Sequence, residues 1–571
     1  MNPDTRKLRL VLCWHMHQPD YRNALDGRFE LPWTYLHAIK DYTDMAWHLE
    51  KFPGMACVVN FVPSLVEQLE DYAHQFRSGN VHDPLLGFLR EKHLDRLAEA
   101  QCRELLSACF RCNYSKMIEP FPPYLRLYQI HTRLQEDPAT LAAYASGQYL
   151  ADLLVWYHLA WIGESVRREN VLVQRLMRQG AQFSHEDRLA LFTLVGELVA
   201  GIIPRYRALQ ERGQVELSTT PHHHPILPLL LDFTAARDAL PDIALPKSAG
   251  YPGGLERSRA QVAGGFESHQ HHFGHRPAGM WPAEGGVSSA ALAVMAELGC
   301  TWAATGENVL ANSLSHSSVG LPERSAFLYQ PYGHDTPQGS ILCFFRDDML
   351  SDRIGFEYSK WNSRDAVSDF IQALERIHAA TRPDADPVVT IVLDGENAWE
   401  YYPYNGYYFL SAFYEALQDH PFIVPTTFAR QAEAMAELAA PPARLEELVA
   451  GSWVYGTFST WIGNDEKNAA WDLLVGAKES YDRVVAEGRL NAVEHAQATR
   501  QLSICEGSDW FWWFGDYNAA ESVQSFDRLY RLNLTNLYHL LKLPVPLALA
   551  QPLSQGSQAA DAGGAMRRAA E

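Results

Sequence analysis

The chain predicts an α/β fold built on a parallel barrel or open sheet, and three features of its sequence point that way. Apolar runs rich in β-branched residues recur along it, and helix-length segments with 3.6-residue periodicity separate most of them. Two of the runs end in a lone carboxylate followed by glycine: Glu284 in AGMWPAEGG and Asp394 in PVVTIVLDGENAWEYYP. A carboxylate at the carboxyl end of a buried strand, leading into a Gly-containing loop, is where (β/α) barrels carry catalytic groups.

The strand-like runs are LRLVLCW (8–14), MACVVNFV (55–62), QVELST (214–219), GMWPAE (279–284), TWAATG (301–306), SILCFF (340–345), VVTIVLD (388–394) and FIVPTT (422–427). Helical spacing over 41–51, 254–273, 288–298, 364–380 and 408–418 supplies the crossovers. Residues 63–210 break the alternation with consecutive amphipathic stretches, which reads as a helical insertion after the second strand. A catalytic barrel including that insertion is expected over 1–430, and a C-terminal helical domain contributing to the cleft over 431–550. The Gly/Ala/Ser-rich residues 551–571 have few large apolar side chains and read as a disordered tail.

Composition narrows the function classes. The 571 residues carry a formal net charge of −20, which argues against nucleic-acid or anionic-membrane partners, since both need a basic field. No run approaches the roughly 20 apolar residues of a membrane span, and the first residues lack a small-residue cleavage site, so a cytoplasmic protein is expected. The 8 cysteines are scattered, and Cys109 with Cys112 reads as two thiols on a core-facing helix rather than half of a zinc site. Aromatics reach 12%, and flat amphipathic rings suit ligands that offer C–H faces and hydroxyls together, as sugars do.

The chemistry-bearing residues follow the strands. CWHMHQPDY places His15 and His17 two apart at a strand end, where alternation puts both imidazoles on one face, to bind a metal or hold a sugar hydroxyl; one core ring and one exposed ring is the plainer alternative. GQVELSTTPHHHPILPLL puts Glu216 on a strand ahead of His222, His223 and His224, a stretch that also reads as a polar turn fixed by prolines. Glu216 and His224 are the more rigidly placed candidates there. Trp281 precedes Glu284 by three residues and would pack under a sugar ring, and two glycines after the carboxylate would let a substrate approach the backbone. A helix N-terminal carboxylate is the alternative for Glu284. Asp394, Glu396 and Glu400 are alternative acids in one loop, with Asp394 tied most closely to its strand. FFRDDMLSDRIGFEY offers Arg346, Asp347, Asp348 and Asp352, as site lining or as a surface ion-pair loop. Trp461, Asp465, Trp510, Trp512, Trp513 and Asp516 come from the C-terminal region, where at least one tryptophan is expected as a sugar platform and the others as core.

Taken together these segments resemble glycoside hydrolase family 57, whose hallmark is five short regions in a fixed order. HMHQPDY, GQVELSTTPHHHPILPLL, GMWPAEGG, TIVLDGENAWEYYP and TFSTWIGNDEKNAAW look like those regions, in order, within residues 8 to 520. The resemblance implies a seven-stranded (β/α) barrel followed by a helical domain, and a retaining mechanism with no metal or other cofactor. It implies Glu284 as nucleophile and Asp394 as general acid/base. It places His17, Glu216, His224 and Trp281 around the sugar under attack, with Asp352 and Trp461 beside them.

The stretch LPWTYLHAIKDYTDMAWHLEKFP is more similar to the α-amylase and amylopullulanase members than to branching enzymes. The expected activity is therefore retaining cleavage of α-1,4-glucans such as starch or glycogen, with action on α-1,6 links. A 4-α-glucanotransferase or a branching enzyme on the same site is the nearest alternative. A zinc-dependent mannosidase or deacetylase using His15 and His17, and a carbohydrate-binding protein without turnover, are the rivals from other classes.

Overall fold

A computed structural model describes residues 6–134, 145–315, 321–383, 386–437 and 441–557. Strands β1 (Leu8–Met16), β2 (Cys57–Phe61), β3 (Val215–Thr219) and β7 (Val388–Asp394) form one parallel sheet in the order β3-β2-β1-β7. Strands β4 (Trp302–Thr305), β5 (Tyr332–Thr336) and β6 (Gly339–Phe345) belong to a second. Isolated bridges join the two: Thr219 to Met280 to Ala303 on one side, and Arg346 to Thr390 on the other. The ring thus runs β1, β2, β3, the Met280 segment, β4, β6, β7 and back to β1, which is the seven-membered (β/α) barrel.

Two strand expectations change in detail. GMWPAE contributes only the bridge at Met280 rather than a full strand. The eighth run, β8 (Ile423–Thr426), pairs with the first half of β1 at Leu8–Val11, on the side that β2 takes up from Cys13 onward. It lies outside the ring. Strand β5 pairs antiparallel with β6, and its sequence YGHDT carries neither an apolar run nor alternation.

Period-two alternation decides what the barrel encloses. On β1, Leu10, Leu12, Trp14 and Met16 face the surrounding helices, while Val11 and Cys13 face inward. On β7, Val389, Ile391 and Leu393 face outward, and Val388 and Val392 inward. Trp281, Trp302, Phe344 and Phe428 complete the inner core, so the barrel is packed rather than hollow. Continuing the same faces by two residues brings His15 and Asp394 to the inward position at the strand ends. Register sets them side by side, with His15 opposite both Asp394 and Asn60.

The described residues between β2 and β3 are largely helical, as expected, running from helix Pro63–Ser78 to helix His185–Glu211. The latter, by length and composition alone, is apolar enough to cross a membrane. That corrects the expectation that no segment approaches a span. Its apolar face, including Leu191, Val195, Val199 and Ile202, is buried within the fold. After β8 the main helices are Asp465–Ala486, Ala492–Cys505, Asp509–Trp513 and Ala520–Leu540. The tail expected to be disordered from 551 is packed as far as Ser557: Leu553 N–H donates to Asp527, Ser554 is buried, and Ser557 bridges to Ala519. Residues 558–571 of that expectation lie outside the described residues.

Candidate active site

The inward face at the carboxyl ends of the strands collects three histidines. His15, on β1, sits beside Asn60 Oδ1 at 2.7 Å, and Asn60 is itself held by Ser218 and the Thr219 carbonyl of β3. His17 follows two residues later on the same face, its Nε2 at 2.7 Å from Asp509. His224 enters from the loop after β3, with its ring 3.9 Å from His17 and 5.2 Å from His15, both stacked. The polar turn read from PHHHP thus delivers one ring to the cluster. His222 turns away to Glu67 at 2.7 Å, and His223 is buried with its amide bonded to Gln261.

Glu284 meets this cluster from the Met280 segment. Its Oε1 accepts from Ser508 Oγ at 2.9 Å and lies 3.8 Å from His224 Nδ1; its Oε2 accepts from Trp453 Nε1 at 3.2 Å. The backbone there is left-handed, φ 58° at Glu284, and His224 is likewise at φ 61°. Non-glycine residues held in this region store strain of about 1–3 kcal/mol each. Bonds from Trp453 N–H to the Glu284 carbonyl, and from Ser508 N–H to the His224 carbonyl, keep them there. Gly285, also at positive φ, packs closely: a Cβ there would lie 2.9 Å from the Trp281 ring.

Asp394 closes the inward face of β7 and accepts from Asn397 Nδ2 at 2.9 Å. Beside it Arg346, the inward residue after β6, bonds the Val392 carbonyl, Asp348 and Asp352, and its guanidinium lies 5.5 Å from the Trp453 ring. Arg346 therefore links the strand that carries Asp394 to the indole that holds Glu284.

Electrostatics sets the protonation pattern. Burial, then the like charge of Asp509, pushes the Glu284 carboxyl up to about 7, with Asp394 adding to the push and the Ser508 hydrogen bond and His17 opposing it. Burial also raises Asp394, against the Asn397 hydrogen bond and the positive His17 and Arg346. For His17, burial favours the neutral ring, but the charge and hydrogen bond of Asp509, with Glu284 and Asp394 beyond, hold it above the ordinary histidine value. His15 is driven down to about 3 by burial and by His17, and His224 well below the ordinary value by burial and both other rings. The His17 ring, held above the ordinary histidine value, thus stands among the carboxyls of Asp509, Glu284 and Asp394.

Several expected site residues take structural roles below or beside this cluster. Glu216 faces inward one layer below Ser218, and its carboxylate accepts from Trp302 Nε1 at 2.9 Å and from the Ala429 amide at 2.8 Å, so it caps the short helix Phe428–Ala436 that follows β8. Trp281 is fully buried in the barrel core against Trp453 and offers no face to a sugar. Trp461 and Trp510 are core residues, packed against Trp512 and Tyr530 respectively. Asp465 is exposed in the first turn of its helix, where a carboxylate favours the helix N-terminus. Asp352 pairs with Arg346. The sequence reading passed over Asn60, Trp453, Ser508 and Asp509. Asp509 lies directly before Trp510, and the run of tryptophans drew attention from the one acid there that reaches the cluster.

His17, His224 and Asp509 have donor atoms close enough to hold a cation. Their geometry suits hydrogen bonding better. A metal bound through an imidazole nitrogen lies in the ring plane, and two rings stacked at 3.9 Å and 21° do not share one. The buried Nε2 of His224 and Nδ1 of His17 have no protein partner among the described residues, which leaves polar ring atoms facing the site for a hydroxyl-bearing ligand.

The sequence signature of glycosyl hydrolase family 57 matches residues 11–441. No curated protein matches the chain significantly. Among solved structures, a branching enzyme of Thermococcus kodakaraensis aligns with a TM-score of 0.55 at 17% identity, over 93% of this chain and 90% of that one. An α-amylase of Thermotoga maritima aligns with a TM-score of 0.55 at 14% identity, over 94% and 93%. A 4-α-glucanotransferase of Thermococcus litoralis aligns with a TM-score of 0.51 at 14% identity, over 94% of this chain and 60% of that one. At these identities the likeness is one of fold.

Proposed function

The chain belongs to glycosyl hydrolase family 57, and from that membership we propose that it is a retaining enzyme cleaving α-1,4-glucans, of the α-amylase or amylopullulanase type, with α-1,6 links as a second target. The observation that carries the reading is the pair of inward carboxyls, Glu284 and Asp394, both facing the positive His17 ring that Asp509 holds. Retaining glycosidases use such a pair, one as nucleophile and one as acid/base. The fold neighbours named as α-amylase, branching enzyme and 4-α-glucanotransferase support the substrate class.

In the first step the protonated carboxyl of Asp394 gives its proton to the glycosidic oxygen while ionised Glu284 attacks the anomeric carbon. The bond to the leaving sugar breaks and a glycosyl ester forms on Glu284. In the second, the Asp394 carboxylate takes a proton from water, whose oxygen attacks the same carbon and releases Glu284. A sugar hydroxyl in place of that water gives transfer instead of hydrolysis. His17, positive and held by Asp509, favours ionised Glu284 in the resting enzyme. Burial raises Asp394, the direction an acid needs, and raises Glu284 as well; the division of roles between them follows the family pattern.

Incubation with maltoheptaose, amylose and pullulan, followed by proton NMR, tests the reading. The expected first product is the α-anomer, and transfer would appear as longer or newly linked chains. An initial β-anomer would overturn retention, and no change in any of the three would overturn the substrate class. The formal charge of −20 suits a neutral glucan and neither nucleic acid nor an anionic membrane surface. The eight free cysteines fit a reducing, cytoplasmic setting.

A further inference from the structure

Outside the barrel mouth, helix Pro63–Ser78 and helix Gly254–Phe273 bring Glu70, His271 and His272 together, with donor atoms all within 4.8 Å of one another. His272 is buried and its Nδ1 lies 2.8 Å from the Ser268 carbonyl, which only accepts, so Nδ1 carries the ring proton. The neutral ring then turns the lone pair of Nε2 toward Glu70 Oε2 at 3.3 Å, another acceptor. Two acceptors in that position call for positive charge between them, a second ring proton or a metal ion.

His271 distinguishes the two. A proton between Glu70 and His272 makes no use of a third donor, yet the His271 ring stands 4.8 Å from the His272 ring with the planes at 83°. The two rings meet edge to face, so their in-plane lone pairs can converge on one ion, whereas His17 and His224 lie face against face with their lone pairs side by side. Metal-binding histidines characteristically donate their other ring N–H to a carbonyl or carboxylate, as His272 does to Ser268. Zinc at about 2.0–2.1 Å from each nitrogen needs donors roughly 3.4 Å apart. Glu70 and His271 are exposed and free to close by that amount.

We propose that Glu70, His271 and His272 form a surface site for a divalent cation of the zinc class, completed by water, which ties the helix after β2 to the helix Gly254–Phe273. The site is separate from the sugar chemistry and stands whether or not that reading holds. Two imidazoles and one carboxylate select zinc-class ions over magnesium, which takes oxygen ligands.

The test uses the full chain after chelator treatment, titrated calorimetrically with zinc chloride alone, and in parallel with magnesium chloride. The chain has 23 histidines, so the site is read as the difference between wild type and variant. Wild type should show a zinc-binding step that weakens at least about tenfold in Glu70→Gln and His271→Ala, both exposed positions. Zinc should raise the Tm of wild type and leave the Tm of the double variant where it was. Identical zinc isotherms for wild type and the double variant would overturn the proposal. So would the absence of zinc binding to wild type at pH 7.5, or magnesium binding of equal strength. Circular dichroism of the variants guards against a folding defect being read as loss of the site.

Discussion

Glu216 and Glu284 are both carboxyls that burial lifts to about 7, and they belong to neighbouring layers of one barrel. Their surroundings differ in kind. Glu216 has one oxygen on the Trp302 indole and the other on the Ala429 amide, so fixed neutral donors satisfy it, and Glu433 is a minor like charge that adds to its rise. Glu284 accepts from Ser508 and Trp453, but it also faces the like charges of Asp509 and Asp394 and the positive ring of His17. Its backbone is strained, whereas Glu216 sits on a regular strand. A perturbed pKa therefore does not by itself mark a catalytic group; charged neighbours whose protonation must change in concert do.

Substituting the two glutamates in parallel is the largest test of that contrast. Glu284→Gln should lower kcat/KM on maltoheptaose by about 10⁴-fold or more, as loss of a nucleophile does, with no fall in Tm. Glu216→Gln should leave kcat/KM within about threefold. Its amide NH₂ faces the donors that the carboxylate satisfied, and losing such a bond costs about 1–3 kcal/mol, so its Tm should fall by several degrees. A Glu216→Gln enzyme as inactive as Glu284→Gln with an unchanged Tm would abolish the distinction.

Asp509→Asn should produce the next largest effect, about a hundredfold loss of kcat/KM without loss of Tm. Its carboxylate orients His17 and holds the ring above the ordinary histidine value, and neutralising it releases that ring from its place between the two reacting carboxyls. A loss under about threefold would mean that the His17 and Asp509 pair is structural. Trp453→Phe should cost about tenfold, because the ring can still pack on Trp281 while the N–H to Glu284 is gone.

The contrast between the two layers also explains what the sequence made legible. Strands buried on both faces announce themselves as uninterrupted apolar runs, so β1 and β7 were readable, and alternation correctly put His15 beside His17 and brought Asp394 to a strand end. Strand β5 was not readable, because its YGHDT segment pairs at the edge of β6 and buries little apolar surface. Glu216 was placed in the site because a carboxylate on a strand gives no sign of its layer. Register supplies that: Glu216 lies opposite Val58 while Ser218 lies opposite Asn60, the neighbour of His15. Asp509 and Ser508 were missed for a related reason. Hundreds of residues separate them from His17 and Glu284, and nothing local in EGSDWFWW distinguishes an acid that reaches the barrel from one that caps a helix.

The smallest expected effects are in pH dependence, and they separate the two glutamates most finely. Both have folded values of about 7 against an ordinary 4.5, so each favours the folded state fully below about 4.5 and loses that contribution as pH rises through about 7. Replacing either by Gln should flatten the fall in Tm across that window. Activity should respond to only one of them. A nucleophile must be ionised, so kcat/KM should climb as pH rises through about 7 with Glu284. The Ser508 hydroxyl favours the ionised form of Glu284, so Ser508→Ala should move the acidic limb to higher pH. Glu216→Gln should leave that limb in place, because its donors and its layer are separate from the reacting pair. An acidic limb that moved with Glu216→Gln and stayed fixed in Ser508→Ala would assign the ionisation governing turnover to the lower layer, and with it reverse the roles given to the two glutamates.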